Sequence, residues 1–431
     1  MTERRQNRAG MRPKTAGTRA RQTAAPHSRL RTTGTSRRGG ADFLFFILTL
    51  GLVIFGVIMV FSASYYNSLN NSGNPYTYLL RELFFAVTGF ALMMAAALFD
   101  YHKYRKAAVP FLLLVIVLLV LVLTPLGIET NGAKRWLGYG AFTIMPGELA
   151  KLAAIFFCAR FFSEKPDRIV SPVRGILPML LLGGVMGFLI MQQPNMSTAI
   201  TVIGIILVIM FVAGLHYKYL IGLLVLIFFA ALGLIFGDSE GYRRRRVTSF
   251  LDPFANPTDD NYQVRQSLEA LGSGGLFGLG LGHSVQKTLY LPEPQNDFIL
   301  AIIGEELGYI GVLVLMVVYV LLIWRGIKIA MEAEDRFGTL LASGIIGMIG
   351  LQVVLNVAVV TSSMPPTGVI LPFVSYGGNA LWICMFAAGV MLNISRSSKK
   401  KTVQAPDAAG GTTDRQRRSR LQERRQRSEQ R

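Results

Sequence analysis

Three carboxylates stand at the start of one long apolar run. Asp297 ends a polar stretch, LPEPQN, and Glu305 and Glu306 follow within FILAIIGEELG. An ionised group at membrane depth costs several kcal/mol, so each of these acids calls for a reason. Asp297 borders water, where a carboxylate can accept a proton from a hydroxyl and serve as a general base. A regular helix beginning at Asp297 turns about 100° per residue. It brings Glu305 to about 80° from Asp297 and roughly 12 Å deeper, so Glu305 is expected to share its cavity. Glu306 falls nearly opposite and is expected to pair with a cation on another helix, with Arg81 and Lys151 as candidates.

Four further clusters have chemistry-bearing types. NGAKRWLGYG places Lys134, Arg135 and Trp136 together in a loop. Two cations beside an aromatic suit an anionic, sugar-bearing headgroup, and equally suit an interfacial anchor. Glu148 and Lys151 follow at i, i+3 on one helix face and are expected to pair inside the bundle. Gln192 to Thr198 (QQPNMST) is a polar break between two apolar runs, either a tight turn or a cavity lining. Thr361 to Gly378 (TSSMPPTGVILPFVSYGG) breaks a span with hydroxyls and prolines. Irregular backbone at that depth is tolerated only against protein or a water-filled cavity, and Ser375 is a candidate substrate contact there.

Arg243 to Arg246 form a four-arginine run in the long polar stretch 237–297. Arginine matches phosphate oxygens bidentately, so Arg243 and Arg246 are candidates for a phosphorylated substrate; pairing with lipid headgroups accounts for the run equally well. LGSGGLFGLGLG, Leu271 to Gly282, lacks the Lys-Ser/Thr ending of a phosphate loop. It reads instead as a close-packed or re-entrant segment. The histidines His27, His102, His216 and His283 are scattered and form no ligand set, and Cys158 and Cys384 lie in apolar runs without metal-type spacing.

The elements that must position these groups are membrane helices. The chain has 431 residues, 52% hydrophobic and 16% charged. A span needs about 20 apolar residues. Ten fit, near 43–64, 78–99, 107–126, 146–162, 176–192, 197–213, 218–236, 298–324, 338–361 and 370–394. The expected class is all-α and polytopic, with a large outer loop between the seventh and eighth spans. The net charge of +19 does not signal nucleic acid: residues 1–40 hold eleven basic residues against one acid and 396–431 twelve against four, which leaves the centre nearly neutral. Both tails, 1–40 and 396–431, are expected to be disordered, cytoplasmic and attracted to anionic lipid. The basic loop 102–106 and Arg325 and Lys328 fall on the same cytoplasmic side, which puts 237–297 outside. The first apolar run is too long for a cleavable signal peptide, and no nucleotide-binding motif favours ATP-driven transport.

Over about residues 42–395 the chain resembles the SEDS proteins of bacterial cell-wall synthesis. The resemblance is carried by NGAKRW with PGELAKL, the QPN turn, DPFANPTDDNYQVRQSLEALGSGGLFGLGLG, YLPEPQNDFILAIIGEELG and TGVILPFVSYGG, in that order. It is similar to the FtsW branch, which serves division, with the elongation branch, RodA, as near neighbour. The resemblance implies a glycosyltransferase that polymerises lipid II at the outer face of the cytoplasmic membrane. It also implies an essential aspartate at Asp297, a class B penicillin-binding transpeptidase as partner, and the division regulators. A lipid II flippase and a non-catalytic scaffold are the alternatives. The leaving pyrophosphate would be stabilised by Lys134, Arg135 and the Arg243–Arg246 run, or by a divalent cation such as magnesium or manganese, for which no compact oxygen-ligand motif is visible. One departure stands out: where the family often reads Gln-Pro-Asp-x-Gly-Thr, this chain has Gln193-Pro194-Asn195-Met196-Ser197-Thr198.

Overall fold

The computed structural model describes residues 40–130, 132–139, 142–237, 254 and 259–397. Helices occupy all ten predicted positions: α1 (Phe43–Ser72), α2 (Thr77–Leu98), α3 (His102–Leu123), α4 (Pro146–Glu164), α5 (Leu177–Met191), α6 (Met196–Ala213), α7 (Tyr217–Phe236), then, after the helix α8 (Asp259–Ser273), α9 (Ile299–Met331), α10 (Arg336–Val360) and α11 (Gly378–Ser397). Eight of them are long and apolar enough to cross a membrane among the described residues, which makes this a multi-pass membrane protein. The two outside that group are α7, whose described apolar part is shorter, and α4. Charges interrupt α4, and its position explains how it carries them. Ala150, Ala153, Ala154, Ile155, Cys158 and Phe162 are fully buried, so α4 runs through the centre and packs on α3, α6 and α10 rather than against lipid. By contrast α9 leaves Leu313, Val317 and Val320 on its outer face, each about half exposed or more.

Several boundaries depart from expectation. Helix α1 runs on to Ser72 through the polar residues SYYNSLNNS, and ends at Gly73 in the left-handed region with its N–H bonded to Leu69 O. The Ser68 and Ser72 hydroxyls both reach Asn74 O and tie the overhang to the following turn. The last helix begins at Gly378, not near 370, because Pro372 and the turn at 371–375 interrupt the apolar run. The polar stretch 237–297 contains α8, which packs on α9 and α10.

The class is all-α as expected, with one small sheet beside the helices. Residues 127–144 form an antiparallel sheet, β1 (Gly127–Thr130), β2 (Ala133–Tyr139) and β3 (Phe142–Ile144), in the order β1-β2-β3. Two residues, Asn131 and Gly132, separate β1 from β2, and Gly132 takes φ of 73°. Asn-Gly between two extended runs is the strongest short-range hairpin signal, because a tight hairpin turn needs positive φ. The predicted loop at Lys134, Arg135 and Trp136 is therefore strand β2. The tails, Arg243 and Arg246 lie outside the described residues.

Candidate active site

Asp297 is placed by a chain segment locked to the helix that follows it. Helix α9 is broken at Gly308, where φ is 68° and ψ is −171°. That conformation belongs to glycine. The glycine-rich stretch after α8 fills the break: Leu279 and Gly280 donate to Glu305 O and Glu306 O, while Tyr309 and Ile310 donate to Gly275 O and Leu276 O. Backbone meets backbone here. A Cβ on Gly308 would stand 2.3 Å from Gly278 N, and one on Gly278 would stand 2.2 Å from Glu306 O. The carbonyls freed by the break are thus satisfied by a second strand of chain instead of by helix.

The two acids of IGEELG hold the same segment. Glu306 is fully buried and pairs with Lys287 at 2.6 Å, with Ser62 of α1 donating to it at 2.7 Å and Lys287 also reaching Ser62 at 3.1 Å. Its cation is therefore neither Arg81 nor Lys151 and does not come from another spanning helix. Glu305, also fully buried, accepts from the Ser284 hydroxyl and from Val285 N at 2.9 Å. It does not line the cavity of Asp297. The predicted phase assumed one regular helix from Asp297, whereas the helix begins at Ile299 and breaks at Gly308. Both carboxylates are turned toward the 284–287 turn. From there the chain passes Leu291 and Gln295, both fully buried. Gln295 O accepts from Tyr376 N at 2.9 Å, and the chain then delivers Asp297, half-buried, to the head of α9.

Asp297 lines a cleft of about 1110 Å³ at the end of the bundle where α4, α6, α9 and α11 begin and α10 ends. Among the described residues this cleft gathers three cations, Arg81, Arg135 and Lys151, and two carboxylates, Glu148 and Asp297. Lys151 is satisfied internally, donating to both oxygens of Glu148 at 2.7 Å with both side chains buried. With that pair neutral, Arg81, Arg135 and Asp297 are the remaining charges of the cleft, two positive and one negative. Arg135 extends from β2 and donates to Gln193 O at 3.2 Å and Pro194 O at 2.5 Å. Asn379 of α11 donates to Thr143 O at 3.1 Å. These bonds fasten the small sheet over the cleft. Trp136 lines it as well. Lys134 does not; it faces Glu129 across the β1–β2 register.

The QPN break supplies the head of α6. Asn195 caps that helix, its Oδ1 accepting from Thr198 N at 3.3 Å and from the Ser197 hydroxyl at 3.0 Å. Its Nδ2 is buried and finds no hydrogen-bond partner among the described residues. The amide at this position thus serves as the helix cap. Ser375 is turned inward: its hydroxyl accepts from Leu371 N at 2.8 Å and shapes the turn, and it does not line the cleft. Its neighbour Tyr376 does line it, beside Arg81. Burial holds the Tyr376 hydroxyl above its ordinary range, against the pull of the Arg81 guanidinium bonded to it. Arg81, Tyr376, Gln352 and Asn356 were not picked out as site residues. Their sequence signal is weak, a polar residue at a span end or one amide in an apolar helix.

A carboxylate at a helix head, in one cleft with two arginines, can deprotonate a hydroxyl while the cations bind an anionic group. A resident divalent cation fits poorly. The described residues hold no group of three His, Cys, Asp or Glu, and of the two carboxylates in the cleft Glu148 is taken by Lys151. Asn195 Oδ1 is spent on the helix cap. Magnesium and calcium need several oxygen ligands.

Over more than four-fifths of its length the chain has relatives of known name. Stage V sporulation protein E of Bacillus subtilis is 42% identical over 85% of this chain and the full length of that protein. A protein of Geobacter sp. strain M18 named probable peptidoglycan glycosyltransferase FtsW is 40% identical, covering 83% of this chain and 97% of its own. Among solved structures, the rod shape determining protein RodA of Thermus thermophilus aligns with a TM-score of 0.63 at 27% identity, over 84% of this chain and 98% of that one. A chain of a peptidoglycan synthase complex, studied for its coordination of polymerization and crosslinking, aligns with a TM-score of 0.70 at 26% identity, over 84% and 99%. The family model described as cell cycle protein, FtsW/RodA/SpoVE, matches residues 42–400, and the chain belongs to that family.

Proposed function

We propose that the chain is a peptidoglycan glycosyltransferase of the cytoplasmic membrane that polymerises lipid II, with Asp297 as its general base. The observation that carries this reading is the setting of Asp297: a half-buried carboxylate at the head of α9, in the cleft that also holds Arg81 and Arg135. The names of the FtsW relatives supply the reaction class. The acceptor sugar's 4-hydroxyl attacks the anomeric carbon of the donor. The new C–O bond forms as the bond to the lipid pyrophosphate breaks, and the hydroxyl proton passes to Asp297. An α-linked donor yields a β-linked strand, so the displacement inverts the centre and needs a base but no enzyme nucleophile. Arg81 and Arg135 stabilise the departing pyrophosphate electrostatically. Arg135 is held for this by the carbonyls of Gln193 and Pro194.

The chain is read as the division branch, acting at the septum with a class B penicillin-binding transpeptidase and division regulators. Its termini are read as cytoplasmic and the cleft as opening outward. Purified protein given labelled lipid II tests the activity. Polymer is the expected result. Movement of lipid II across sealed vesicles without polymer would favour a flippase, and neither would favour a scaffold. A fluorescent fusion at midcell, rather than along the side wall, tests the branch.

A further inference from the structure

Asn356 lies in α10, fully buried, one turn beyond Gln352, which lines the cleft. Its amide nitrogen stands 2.8 Å from Asp297 O and 2.7 Å from Val369 O. A side-chain amide has two N–H hydrogens, so one residue serves both acceptors. The two carbonyls belong to different segments. That of Asp297 precedes α9, and the first hydrogen bond returning from the helix, Ala301 N, goes to Phe298 O and leaves it out. That of Val369 follows Gly368, which takes φ of 73°. A Cβ on Gly368 would stand 3.5 Å from Asp297 Oδ2. The segment that Asn356 grips through Val369 is therefore the one that packs against the Asp297 carboxylate, and Asn356 also grips Asp297 by its own backbone.

We propose that Asn356 is the positioning residue for Asp297, clamping the backbone of the base and the backbone that walls its carboxylate in one side-chain fork. This rests on the reading of Asp297 as the general base. The role is specific to an amide. Leucine of similar size has no donor, ionised aspartate would set a charge against two carbonyl oxygens, and serine has one donor on a shorter arm.

The test is a mutant cycle on the full chain in detergent, with lipid II as substrate. The kcat and KM are measured for Asn356→Leu, Asn356→Ser, Asp297→Asn and the double variants, each normalised to its lipid II binding sites. Displacing a reacting group by about 1 Å can cost on the order of 100-fold. Asn356→Leu should therefore lower kcat by roughly 10- to 100-fold with KM and lipid II affinity nearly unchanged. Asn356→Ser should fall between, and it carries the same cycle where the leucine variant does not fold. In the Asp297→Asn background the loss at 356 should shrink to less than about threefold, because the misplaced group is no longer a base. Full kcat in both Asn356 variants would overturn the inference. So would losses that multiply in the Asp297→Asn background, or that track lost binding sites alone. Full kcat in Asp297→Asn would instead overturn the base assignment, and the positioning role with it.

Discussion

Lys287 and Glu306 make a sharp test of how the segment bearing Asp297 is held. Their side chains are 3% and 0% exposed and meet at 2.6 Å. Lys287→Met leaves Glu306 with only the Ser62 hydroxyl; Glu306→Gln leaves the ammonium with the same hydroxyl and a neutral amide. Removing one member of a buried pair costs about 3–5 kcal/mol, because the remaining charge is stranded away from water. Replacing both members by neutral groups of similar volume is often close to neutral. Each single variant should therefore lose about 3 kcal/mol or more, while Lys287→Met with Glu306→Gln together should return to within about 1–2 kcal/mol of the natural chain. At 1.4 kcal/mol per decade, a single loss of about 3 kcal/mol lowers the folded-to-unfolded ratio more than 100-fold. Equilibrium unfolding in mixed SDS–maltoside micelles, followed by tryptophan fluorescence, reads this directly. Hydrogen exchange over residues 284–297 should quicken in the singles and slow again in the double. A double variant no more stable than the worse single would refute the coupling.

Four other outcomes follow from the same geometry. Gly308→Ala adds a methyl 2.3 Å from Gly278 N at a backbone conformation reserved to glycine, so it should cost about 3 kcal/mol or more. Gly184→Ala, with nothing within 4 Å, should instead stabilise α5 by roughly 0.5–1 kcal/mol; thermal unfolding of the two purified variants compares them. Asn195→Ala removes the cap of α6 and should cost about 1 kcal/mol in the same assay. Asn195→Asp keeps an oxygen for the cap at the positive end of the α6 dipole, so it should be more stable than Asn195→Ala in the same assay, while the added negative charge raises KM for lipid II.

Helix α9 shows both what local pattern conveys and what it omits. The cost of carboxylates in an apolar run singles out Asp297, Glu305 and Glu306 from sequence alone. The spacing of Glu148 and Lys151 likewise announced a pair, since i, i+3 contacts are set by helix geometry alone. Glu305 was misassigned because phase counting requires an unbroken helix, and the break at Gly308 exists only through the glycine stretch thirty residues earlier in the chain. Lys287, the true partner of Glu306, sits in a turn whose approach no periodicity encodes. Asn356 was passed over for a related reason. One amide in an apolar helix gains meaning only when two remote carbonyls arrive within its reach. Ser375 shows the converse: a hydroxyl among small residues reads as a ligand contact but is spent on its own turn.

The central claim is that Asp297 takes the proton of the attacking hydroxyl. The most direct measurement is the single-turnover rate of lipid II polymerisation by purified Asp297→Asn protein, alongside its equilibrium affinity for lipid II. Loss of a general base removes about 10²- to 10⁴-fold of rate, and the isosteric amide should leave binding nearly intact. A rate reduced by that factor with affinity unchanged is the predicted result. Polymerisation at the natural rate would contradict the account.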